Sequence, residues 1–473
     1  MVQHSIIAFK CSEERGFFVE RELFYKNYSQ IKKILKKAYE TQYYKELIDG
    51  AHIDLERDIQ YEDFLRIKCS SKNDYHENKF QMCTGELALF LQKEYQDHEE
   101  IREKDACLKE HGLQLKVTSG STGQPLEVLK SNQDIAKDYL SLNMHRRRLT
   151  NYDFTGKFMW VWPANPYTVE FFNSICEMNT AIVVNKYGYQ FFLYEHSEDN
   201  MEKLYRAMID CQCEWLTSSP SVLYNFANYI CEKELTPPEL KYIECHSEKL
   251  YDWQRETIKA VFKIDPISIY SSNEIQFIGT ICEQGNLHIF SNSCFVEFIN
   301  STKTQSKEIC VTSLLYTDLP IIRYKLGDCG DWLEEGRCSC DFCKYPAAKL
   351  SGFRTNDFII TKNGTYMEPF VIVDSIFFLL HIFRIEIKEY KVVECAYDKF
   401  EYYLPKAILQ KYNDIIIPFI QNYLSYVLDY PITVVTKEYE ADTSVAVGMK
   451  YRYFEVRMDD SIQSHLLSNN EKK

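Results

Sequence analysis

The middle of the chain alternates short apolar runs with amphipathic stretches. The apolar runs have the length of buried strands and lie at Phe158–Trp162, Ala181–Val184, Trp215–Leu216, Tyr242–Ile243 and Ile267–Tyr270. The stretches between them space their apolar residues as helices do and lie at 201–211, 221–234 and 253–262. Strands that alternate with helices predict a sheet with parallel pairing, helices on its faces, and ligands at the carboxyl ends of its strands.

The pattern differs on both sides of this core. Residues 21–49 space their apolar positions as an amphipathic helix does, and residues 50–110 alternate short helical patterns with polar turns. Beyond Leu287 the apolar pieces shorten, which indicates strands at Phe295–Ile299, Ile309–Thr312 and Asp357–Thr361. After about Thr355, strands and helices alternate again at Lys388–Cys395, Ile415–Leu428, Ile432–Lys437 and Tyr451–Val456.

These patterns predict an α/β fold with a large multi-layer N-terminal domain of mixed sheets and a small C-terminal α/β lid. The N-terminal domain is expected over residues 1–354, as a helical region (1–112), an α/β core (113–280) and a β-rich subdomain (281–354). The lid is expected over residues 355–473. Such a division suits the length of the chain, because domains usually have about 100–200 residues.

The chain is acidic. Its 473 residues include 55 basic and 69 acidic ones, which gives a net charge of −14. This balance argues against nucleic acids and anionic membranes as general partners. The basic run Arg146-Arg147-Arg148 is expected on a solvated helix face. Neither a cleavable signal pattern nor a run of about 18 apolar residues occurs, so we expect a cytoplasmic protein without membrane contact.

A run of small and hydroxylic residues, Thr118–Gly123, fits a loop that wraps phosphate groups. Its glycines can bring backbone N–H groups close to an anion, and its hydroxyls add further donors. Four segments follow it in order: Tyr270–Glu274, Arg323–Asp328, Arg354 and Gly448–Lys450. Together with the loop, these segments indicate chemistry on ATP.

In order and spacing the five segments resemble the adenylate-forming enzymes, in particular the branch of phenylacetate-CoA ligases and their capsule-biosynthesis-like relatives. The resemblance covers roughly residues 20–457, and its specific parts are the motif segments. It implies an ATP-dependent acid ligase that uses Mg²⁺, makes an acyl-adenylate with release of pyrophosphate, and passes the acyl group to a thiol. Because the chain is acidic, its ATP site must gather positive potential locally.

The resemblance gives each segment a role. The loop would hold the β- and γ-phosphates, Glu274 would bind Mg²⁺, and Asp328 would accept hydrogen bonds from the ribose hydroxyls. Lys450 would place its ammonium between the acyl carboxylate and the α-phosphate, so that catalysis falls to Lys450 and Glu274. Asp357 would be the hinge about which the mobile lid rotates. The predicted ATP and AMP contacts are Thr118, Ser119, Gly120, Ser121, Thr122, Gly123, Glu248, Tyr270, Ser271, Ser272, Asn273, Asp328 and Arg354.

Three departures from the family pattern bear on whether the active site is competent. Ser271 stands where the family has glycine, Phe353 takes the place of the glycine before Arg354, and the usual aspartate pair reads Asn356-Asp357. These departures leave open a second class of function, a zinc-stabilised binding or scaffold protein with a decayed active site. Retention of the candidate carboxylates and of the C-terminal lysine argues for an enzyme.

Candidate pocket residues follow the predicted strands. The predicted substrate pocket consists of Trp160, Trp162, Ser218, Ser219 and His246, with Trp215 and Tyr270 as further candidates. The tryptophans favour an aromatic or other apolar acid. For His246, an ordinary place in the core is an equal alternative. We expect CoA as the acceptor of the acyl group, with a carrier protein or an amine as the alternative. The sequence leaves the oligomeric state open, and a homodimer is one option.

One group of cysteines differs from the rest. Most of the 17 cysteines stand singly among apolar residues, as buried thiols of a reducing compartment do. Cys338 and Cys340 form a Cys-x-Cys pair, and the more distant Cys282 and His288 can complete a tetrahedral shell around Zn²⁺, with Cys343 as an alternative ligand. The branch of phenylacetate-CoA ligases is similar here. We expect a structural zinc, and free thiols are the alternative.

Overall fold

The computed structural model describes most of the chain. The described residues are 16–95, 101–117, 126–150, 152–163, 181–193, 197–301, 307–333, 338–342, 344–354, 359–362, 366–367, 372, 375–376, 379, 383–385, 387, 390–439 and 454–458. None of the described helices combines the length and the apolar character that a membrane crossing requires.

The N-terminal part consists of helices. They are α1 (16–26), α2 (Tyr28–Ala38), α3 (Gln42–Gly50), α4 (Tyr61–Phe64), α5 (Lys72–Asn78), α6 (Gly85–Phe90) and α7 (Ile101–Glu110), with a π-helical turn at Leu91–Tyr95. The amphipathic pattern over 21–49 is thus divided among three helices. Thr41 explains the last division, because its hydroxyl accepts a hydrogen bond from the Tyr44 amide and so starts a new helix.

Two strands and a long helix follow. Strands β1 (Leu113–Val117) and β2 (Glu127–Ser131) pair antiparallel, and helix α8 (Asn132–Leu149) begins directly after β2. Ser131 caps α8 by accepting a hydrogen bond from the Asp134 amide. Since Val117 pairs with Glu127, the strand partners bring the two ends of the intervening segment close together.

A twelve-stranded sheet forms the centre of the molecule. Its strand order is β11-β12-β13-β14-β10-β9-β8-β7-β6-β3-β5-β4. The run β5-β3-β6-β7-β8 is parallel and every other pair in the sheet is antiparallel. The strands are β3 (Phe158–Pro163), β4 (Ala181–Val183), β5 (Gly188–Leu193), β6 (Trp215–Ser218), β7 (Tyr242–Cys245), β8 (Ile267–Tyr270), β9 (Gly279–Ile281), β10 (Asn286–Ile289), β11 (Cys294–Asn300), β12 (Lys307–Ser313), β13 (Tyr324–Trp332) and β14 (Ala347–Arg354).

Helices cover both faces of the parallel part. Helices α9 (Glu198–Cys211), α10 (Pro220–Glu232) and α11 (Asp252–Phe262) share one buried core with the strand residues Met159, Val161, Phe191, Leu216, Ile243 and Cys245. Because side chains alternate along a strand, the residues between these face the other way, toward α8. There Trp160 contacts Tyr139 of α8, and Glu244 pairs with Arg146 of the same helix.

The antiparallel part of the sheet packs on the N-terminal helices. Leu23, Phe24 and Phe64 join one buried core with Phe295 and other residues of β10–β13. Two backbone hydrogen bonds connect this layer with the start of β13: the Ser70 amide donates to Arg323 at 2.9 Å, and the Lys325 amide donates to Ser70 at 2.8 Å. The N-terminal helices therefore pack directly on strands that lie far from them in sequence.

The C-terminal part has a smaller sheet. Its order is β19-β18-β17-β20, with strands β17 (Lys391–Ala396), β18 (Lys399–Leu404), β19 (Thr433–Glu438) and β20 (Phe454–Val456). Helix α12 (Lys406–Leu428) packs Ile416, Ile420 and Leu424 into the core of this sheet and starts nine residues before the predicted helix at Ile415. A two-stranded pair, β15 (Ile359–Ile360) with β16 (Tyr366–Met367), lies before it in the chain.

The observed architecture confirms the predicted α/β fold, with mixed sheets in a large first part and a small α/β unit at the C-terminal end. Strand β5 was not among the predicted strands. The antiparallel strands expected to form a separate subdomain continue the hydrogen-bond ladder of the parallel core through the pair β8 and β9. The domain boundaries remain predictions.

Candidate functional site

A tight turn follows the carboxyl end of β8, where an α/β sheet binds its ligands. Tyr270 is the last residue of β8, and Ser271 and Ser272 follow it. Ser272 closes the turn: its amide donates to the Ile275 carbonyl at 3.1 Å, and its hydroxyl accepts from the Ile275 amide at 2.9 Å. This geometry exposes Asn273 and leaves Glu274 half-buried beside the sheet.

Strand β13 meets this turn through two hydrogen bonds. The Tyr270 hydroxyl donates to Asp328 Oδ2 at 2.6 Å, and the Tyr324 hydroxyl donates to Glu274 Oε1 at 2.9 Å. Bonds to ionised carboxylates are among the stronger hydrogen bonds of proteins and orient the acceptor. Glu274 and Asp328, which are far apart in sequence, therefore belong to one site. Tyr324 lies within the segment Arg323–Asp328, but no role was predicted for it.

Arg354 lies beside this site in the sheet. It ends β14, and its Cα is paired with that of Asp328 across the ladder of β13 and β14. Neighbouring strands lie about 4.8 Å apart, so the register alone makes Arg354 a neighbour of Asp328. Asp357, the predicted hinge, lies outside the described residues.

The predicted phosphate loop connects to the same place through its flanking strands. Thr118, Ser119, Gly120, Ser121, Thr122 and Gly123 lie outside the described residues, as does Lys450. The strand that follows the loop is described, and Lys130 in this strand donates a hydrogen bond to the backbone carbonyl of Glu274. The β1–β2 hairpin thus contacts the turn that carries Glu274.

Lys130 is a charged residue that sequence reasoning missed. Its side chain is buried, with an exposed fraction of 1%, and its ammonium lies 3.7 Å from the centre of the Tyr316 ring. Burial lowers the pKa of Lys130 to about 8, against the opposing effect of nearby carboxylates. The run Glu-Val-Leu-Lys of β2 has no motif that marks it. Only the strand packing shows that a buried cation stands next to Glu274.

Ser219 and Glu248 lie at the start of α10. Ser219 is its N-cap and Pro220 its first residue, but the Ser219 side chain makes no capping bond. Glu248 supplies one instead, since its Oε2 accepts from the Ser221 amide at 3.3 Å. A carboxylate is favourable at the positive end of a helix dipole. The two residues therefore stand together after the ends of β6 and β7, and their assigned contacts with nucleotide and substrate remain predictions.

An aromatic group lies at the carboxyl ends of β3 and β7. The rings of Trp160 and Trp162 stack with centroids 4.4 Å apart, and His246 stands edge-on to Trp160 at 5.8 Å. Tyr139 of α8 contacts both Trp160, at 6.1 Å, and Phe277, at 5.7 Å, in the segment after Glu274. A continuous aromatic wall therefore runs from β3 to the turn beside the carboxylates.

Two nitrogens of this wall are buried without a hydrogen-bond partner among the described residues. They are Nε1 of Trp160 and Nε2 of His246, and the other ring nitrogen of His246 lies 2.9 Å from the Ser247 hydroxyl. Burial lowers the pKa of His246 to about 4, so the ring is neutral at physiological pH. An unsatisfied buried polar atom costs about 1–3 kcal/mol, which an oxygen of a bound ligand would offset.

Two predicted pocket residues lie apart from this wall. Ser218 pairs with Cys245, a residue of the opposite core, and donates its hydroxyl proton to the Val161 carbonyl at 2.8 Å. Trp215, at the start of β6, stacks on Phe158 with centroids 4.4 Å apart. Because strand residues alternate between faces, the four-residue strand cannot present Ser218 on the face that carries Trp160.

Trp215 also contacts a buried ion pair. Arg146 binds Glu244 with two nitrogens, at 2.8 and 2.5 Å, and its guanidinium lies 4.9 Å from the Trp215 ring. Burial alone would raise the pKa of Glu244, but the guanidinium holds that pKa below its ordinary value. The expected solvated face is thus wrong for Arg146, whereas Arg147 and Arg148 are exposed.

The structure brings Cys282, His288, Cys338 and Cys340 together. Their donor atoms all lie within 4.8 Å of one another, and all four side chains are buried. Gly285 allows the chain to turn between the first two, because it adopts a φ of +75° that disfavours other residues. Cys343, the alternative ligand, lies outside the described residues.

The donor set fits a tetrahedral zinc ion. Tetrahedral zinc with bonds of about 2.3 Å holds two thiolate sulfurs about 3.8 Å apart, and the sulfurs of Cys282 and Cys338 are separated by 3.9 Å. Nε2 of His288 lies 3.1 Å from the Cys340 sulfur. Burial lowers the pKa of His288, which favours the neutral ring that binds metals. Three sulfurs and one nitrogen fill a tetrahedral shell, so this is the donor set of a structural site.

Comparison with solved structures shows the fold of acyl-adenylate-forming ligases. A 2-hydroxyisobutyryl-CoA ligase, in the postadenylation state with 2-hydroxyisobutyryl-AMP, superposes with a TM-score of 0.60 at 14% identity, covering 94% of this chain and 91% of that one. An open conformation of the same ligase with the acyl-adenylate and CoA gives 0.51 at 14% identity, over 91% and 90% of the two chains. No protein-family model matches the sequence, and the search among curated proteins gives no match.

Proposed function

We propose that this protein is an ATP-dependent acid ligase that forms AMP. The observation that carries the proposal is the convergence of Glu274 and Asp328, each oriented by a tyrosine hydroxyl, at the carboxyl end of β8. Two carboxylates in this place suit the two tasks that the family resemblance gives them, namely binding a metal-nucleotide complex and holding its ribose. The fold shared with the 2-hydroxyisobutyryl-CoA ligase supports the same proposal.

The proposed reaction has two steps. In the first, a carboxylate oxygen of the acid attacks the α-phosphorus of ATP, an acyl–phosphate bond forms, and pyrophosphate leaves. In the second, a thiol attacks the acyl carbon, the carbon–oxygen bond to AMP breaks, and the thiol proton is released. Lys450 would stabilise the negative charge that builds up on the α-phosphate in the first step. Rotation of the lid about Asp357 would separate the two steps.

Glu274 is the proposed protein ligand of Mg²⁺. Magnesium takes one or two carboxylates together with phosphate oxygens and water, and a single half-buried carboxylate at a turn meets that requirement. The ion would neutralise the charge of the nucleotide phosphates. The Tyr324 hydroxyl already orients the Glu274 carboxylate. This hydrogen bond fixes the direction in which the carboxylate can bind a cation.

The substrate that fits best is an aromatic acid with a polar substituent. The wall of Trp160, Trp162 and Tyr139 supports a flat apolar body, and the two unpartnered nitrogens support a polar substituent on it. We propose CoA as the acceptor, because the ligase of the same fold has been solved in complex with its acyl-adenylate and CoA. The alternative acceptors are a carrier protein and an amine, and adding each acceptor to the preformed acyl-adenylate distinguishes them from CoA.

Exchange of labelled pyrophosphate into ATP tests the first step. We expect exchange only when an acid is present, with the fastest rates for hydroxylated aromatic acids within a panel of aliphatic, aromatic and hydroxyaromatic acids. Lys450→Ala should lower the rate by at least about a hundredfold, because it removes the charge that stabilises the transition state. Lys411→Ala, at an exposed position of α12, is the matched control and should leave the rate unchanged.

Absence of exchange with every acid of the panel would refute the proposed function. If exchange occurs, CoA, a pantetheinylated carrier protein and simple amines are added in turn to the preformed acyl-adenylate. Release of AMP with only one of them identifies the acceptor.

We also propose that Cys282, His288, Cys338 and Cys340 hold a structural Zn²⁺. Purified protein should contain one zinc per chain by elemental analysis, and Cys338→Ser with Cys340→Ser should abolish that content. Cys294→Ser is the control, because Cys294 is also buried but belongs to a different core. Zinc well below one equivalent in the unmodified protein, or zinc retained in the double variant, would contradict this assignment.

A further inference from the structure

Three buried side chains, those of Lys130, Tyr316 and Asp138, support the turn that carries Glu274. Lys130 donates to the Glu274 carbonyl, and the Gln276 amide donates to the Tyr316 hydroxyl at 3.1 Å. The Tyr316 hydroxyl in turn donates to Asp138 Oδ2 at 2.6 Å. The backbone directly after Glu274 is thus held on both sides of Ile275 by a buried unit, the Lys130–Tyr316–Asp138 cluster.

Burying the charged groups of this cluster costs free energy. The exposed fractions of Lys130 and Asp138 are 1% and 4%, and Tyr316 is buried equally well. Buried ionisable groups usually pair closely, yet Lys130 directs its ammonium to a carbonyl and to the face of the Tyr316 ring. A methionine would fill the same apolar space at a smaller cost. The charge and the donors of Lys130 must therefore serve the turn beside them.

The positive charge of Lys130 lies near two parts of the proposed nucleotide site. Lys130 lies in β2, the strand that follows the predicted phosphate loop in the chain. Its ammonium contacts the turn that contains the proposed magnesium ligand. The net charge of the chain is −14, so a nucleotide site needs a local source of positive potential. A buried cation in a medium of low dielectric acts over a longer distance than an exposed one.

We propose that Lys130 is a positioning residue for the magnesium-nucleotide site. It fixes the backbone at Glu274 so that the carboxylate faces the cation, and it adds positive potential beside the nucleotide phosphates. Tyr316 and Asp138 hold the following peptide group, at the Gln276 amide. This inference rests on the proposed function, and it extends that function to a residue that lies in no motif of the sequence.

Magnesium-dependent binding of ATP tests the inference without relying on turnover. Calorimetric titration of ATP at a series of Mg²⁺ concentrations gives the concentration that supports half-maximal binding. Lys130→Met should raise this concentration by about 10–100-fold, the usual effect of removing a group that orients a metal ligand. Lys130→Arg, which keeps a positive charge and its donors, should recover most of the loss. Tyr316→Phe removes the acceptor of the Gln276 amide and the donor to Asp138 but keeps Lys130, so it should give a smaller increase.

The matched control is Lys307→Met. Lys307 is also largely buried but pairs with Asp331, at 3.0 Å, away from the turn, so its loss should lower stability without changing the magnesium requirement. Circular dichroism and thermal unfolding of all variants separate misfolding from a loss of binding. If Lys130→Met does not fold, the folded variants Lys130→Arg and Tyr316→Phe still measure the role of the cluster.

The outcomes distinguish the inference from the function on which it depends. Unmodified protein that binds magnesium-ATP, with an unchanged magnesium requirement in folded Lys130→Met and Tyr316→Phe, would overturn the inference and leave the proposed function standing. Unmodified protein that binds no magnesium-ATP would overturn both. A raised requirement in Lys130→Met that Lys130→Arg restores would support the positioning role.

Discussion

Glu274→Gln is expected to lower acid-dependent pyrophosphate exchange by at least about a hundredfold, while the protein keeps its fold. The amide retains the size and most hydrogen bonds of the carboxylate, including acceptance from the Tyr324 hydroxyl at 2.9 Å in the native side chain. What it loses is the negative charge that a divalent cation requires. The loss should therefore appear in the magnesium dependence of exchange and in the rate, and only slightly in thermal unfolding.

Glu256→Gln is the control for this experiment. Glu256 is exposed on α11, on the side of the sheet opposite α8, so the same chemical change there should leave exchange unaffected. An additional variant, Tyr324→Phe, removes the hydroxyl that orients Glu274 and should give an intermediate loss. Exchange at the native rate in Glu274→Gln would show that the cation is bound elsewhere, and the proposed role of Glu274 would have to be abandoned.

Arg146→Met is expected to lower the free energy of unfolding by about 3–5 kcal/mol, the usual cost of leaving one partner of a buried ion pair uncompensated. The variant strands the Glu244 carboxylate, whose remaining hydrogen bonds within the described residues are from the Tyr242 hydroxyl at 2.7 Å and a long one from Thr217. Urea unfolding followed by tryptophan fluorescence measures the change. Trp215, which contacts the guanidinium, lies within the affected region.

The neighbouring residue provides the control. Arg147→Met makes the same substitution one position away at an exposed site and should change the unfolding free energy by less than about 0.5 kcal/mol. Arg146→Met combined with Glu244→Gln removes the stranded charge and should recover part of the loss. Equal unfolding midpoints for Arg146→Met and Arg147→Met would show that the ion pair contributes nothing to stability.

The elements of the parallel core were predictable because their signal is local. Phe158–Trp162 and Ile267–Tyr270 are short apolar runs between helical stretches, and strands occur at Phe158–Pro163 and Ile267–Tyr270. The grouping of the candidate metal ligands was predictable for a different reason. Few residue types bind zinc, so Cys282, His288, Cys338 and Cys340 could be selected by chemistry without knowledge of the path of the chain.

The residues that support the site were not predictable, because their importance depends on strand order. Lys130 and Tyr324 matter only since β2 and β13 approach the turn after β8. Arg146 appeared to be part of a solvated basic run, because the sequence does not show that Glu244 stands opposite it. Ser218 was placed after a strand but belongs to it, so alternation directs its side chain into the opposite core.

The loop at Thr118–Gly123 and the C-terminal Lys450 remain predictions. Their assignments depend on the family resemblance, and both lie outside the part of the chain that the structure describes. Strands β1 and β2 hold the two ends of the loop together, and β20 begins shortly after Lys450.

The pairing of the N-terminal helices with β13 sets an order for folding during synthesis. Ser70 contacts Ile322 across a separation of 252 residues, and Phe24 and Phe64 pack on Phe295. A ribosome adds about 5–20 residues per second, so the N-terminal layer waits between roughly ten seconds and a minute for its partner strands. During that interval its apolar side chains have no native surface to cover them. Newly made chains should therefore depend on chaperones that bind early, before the first eighty residues can take their final place.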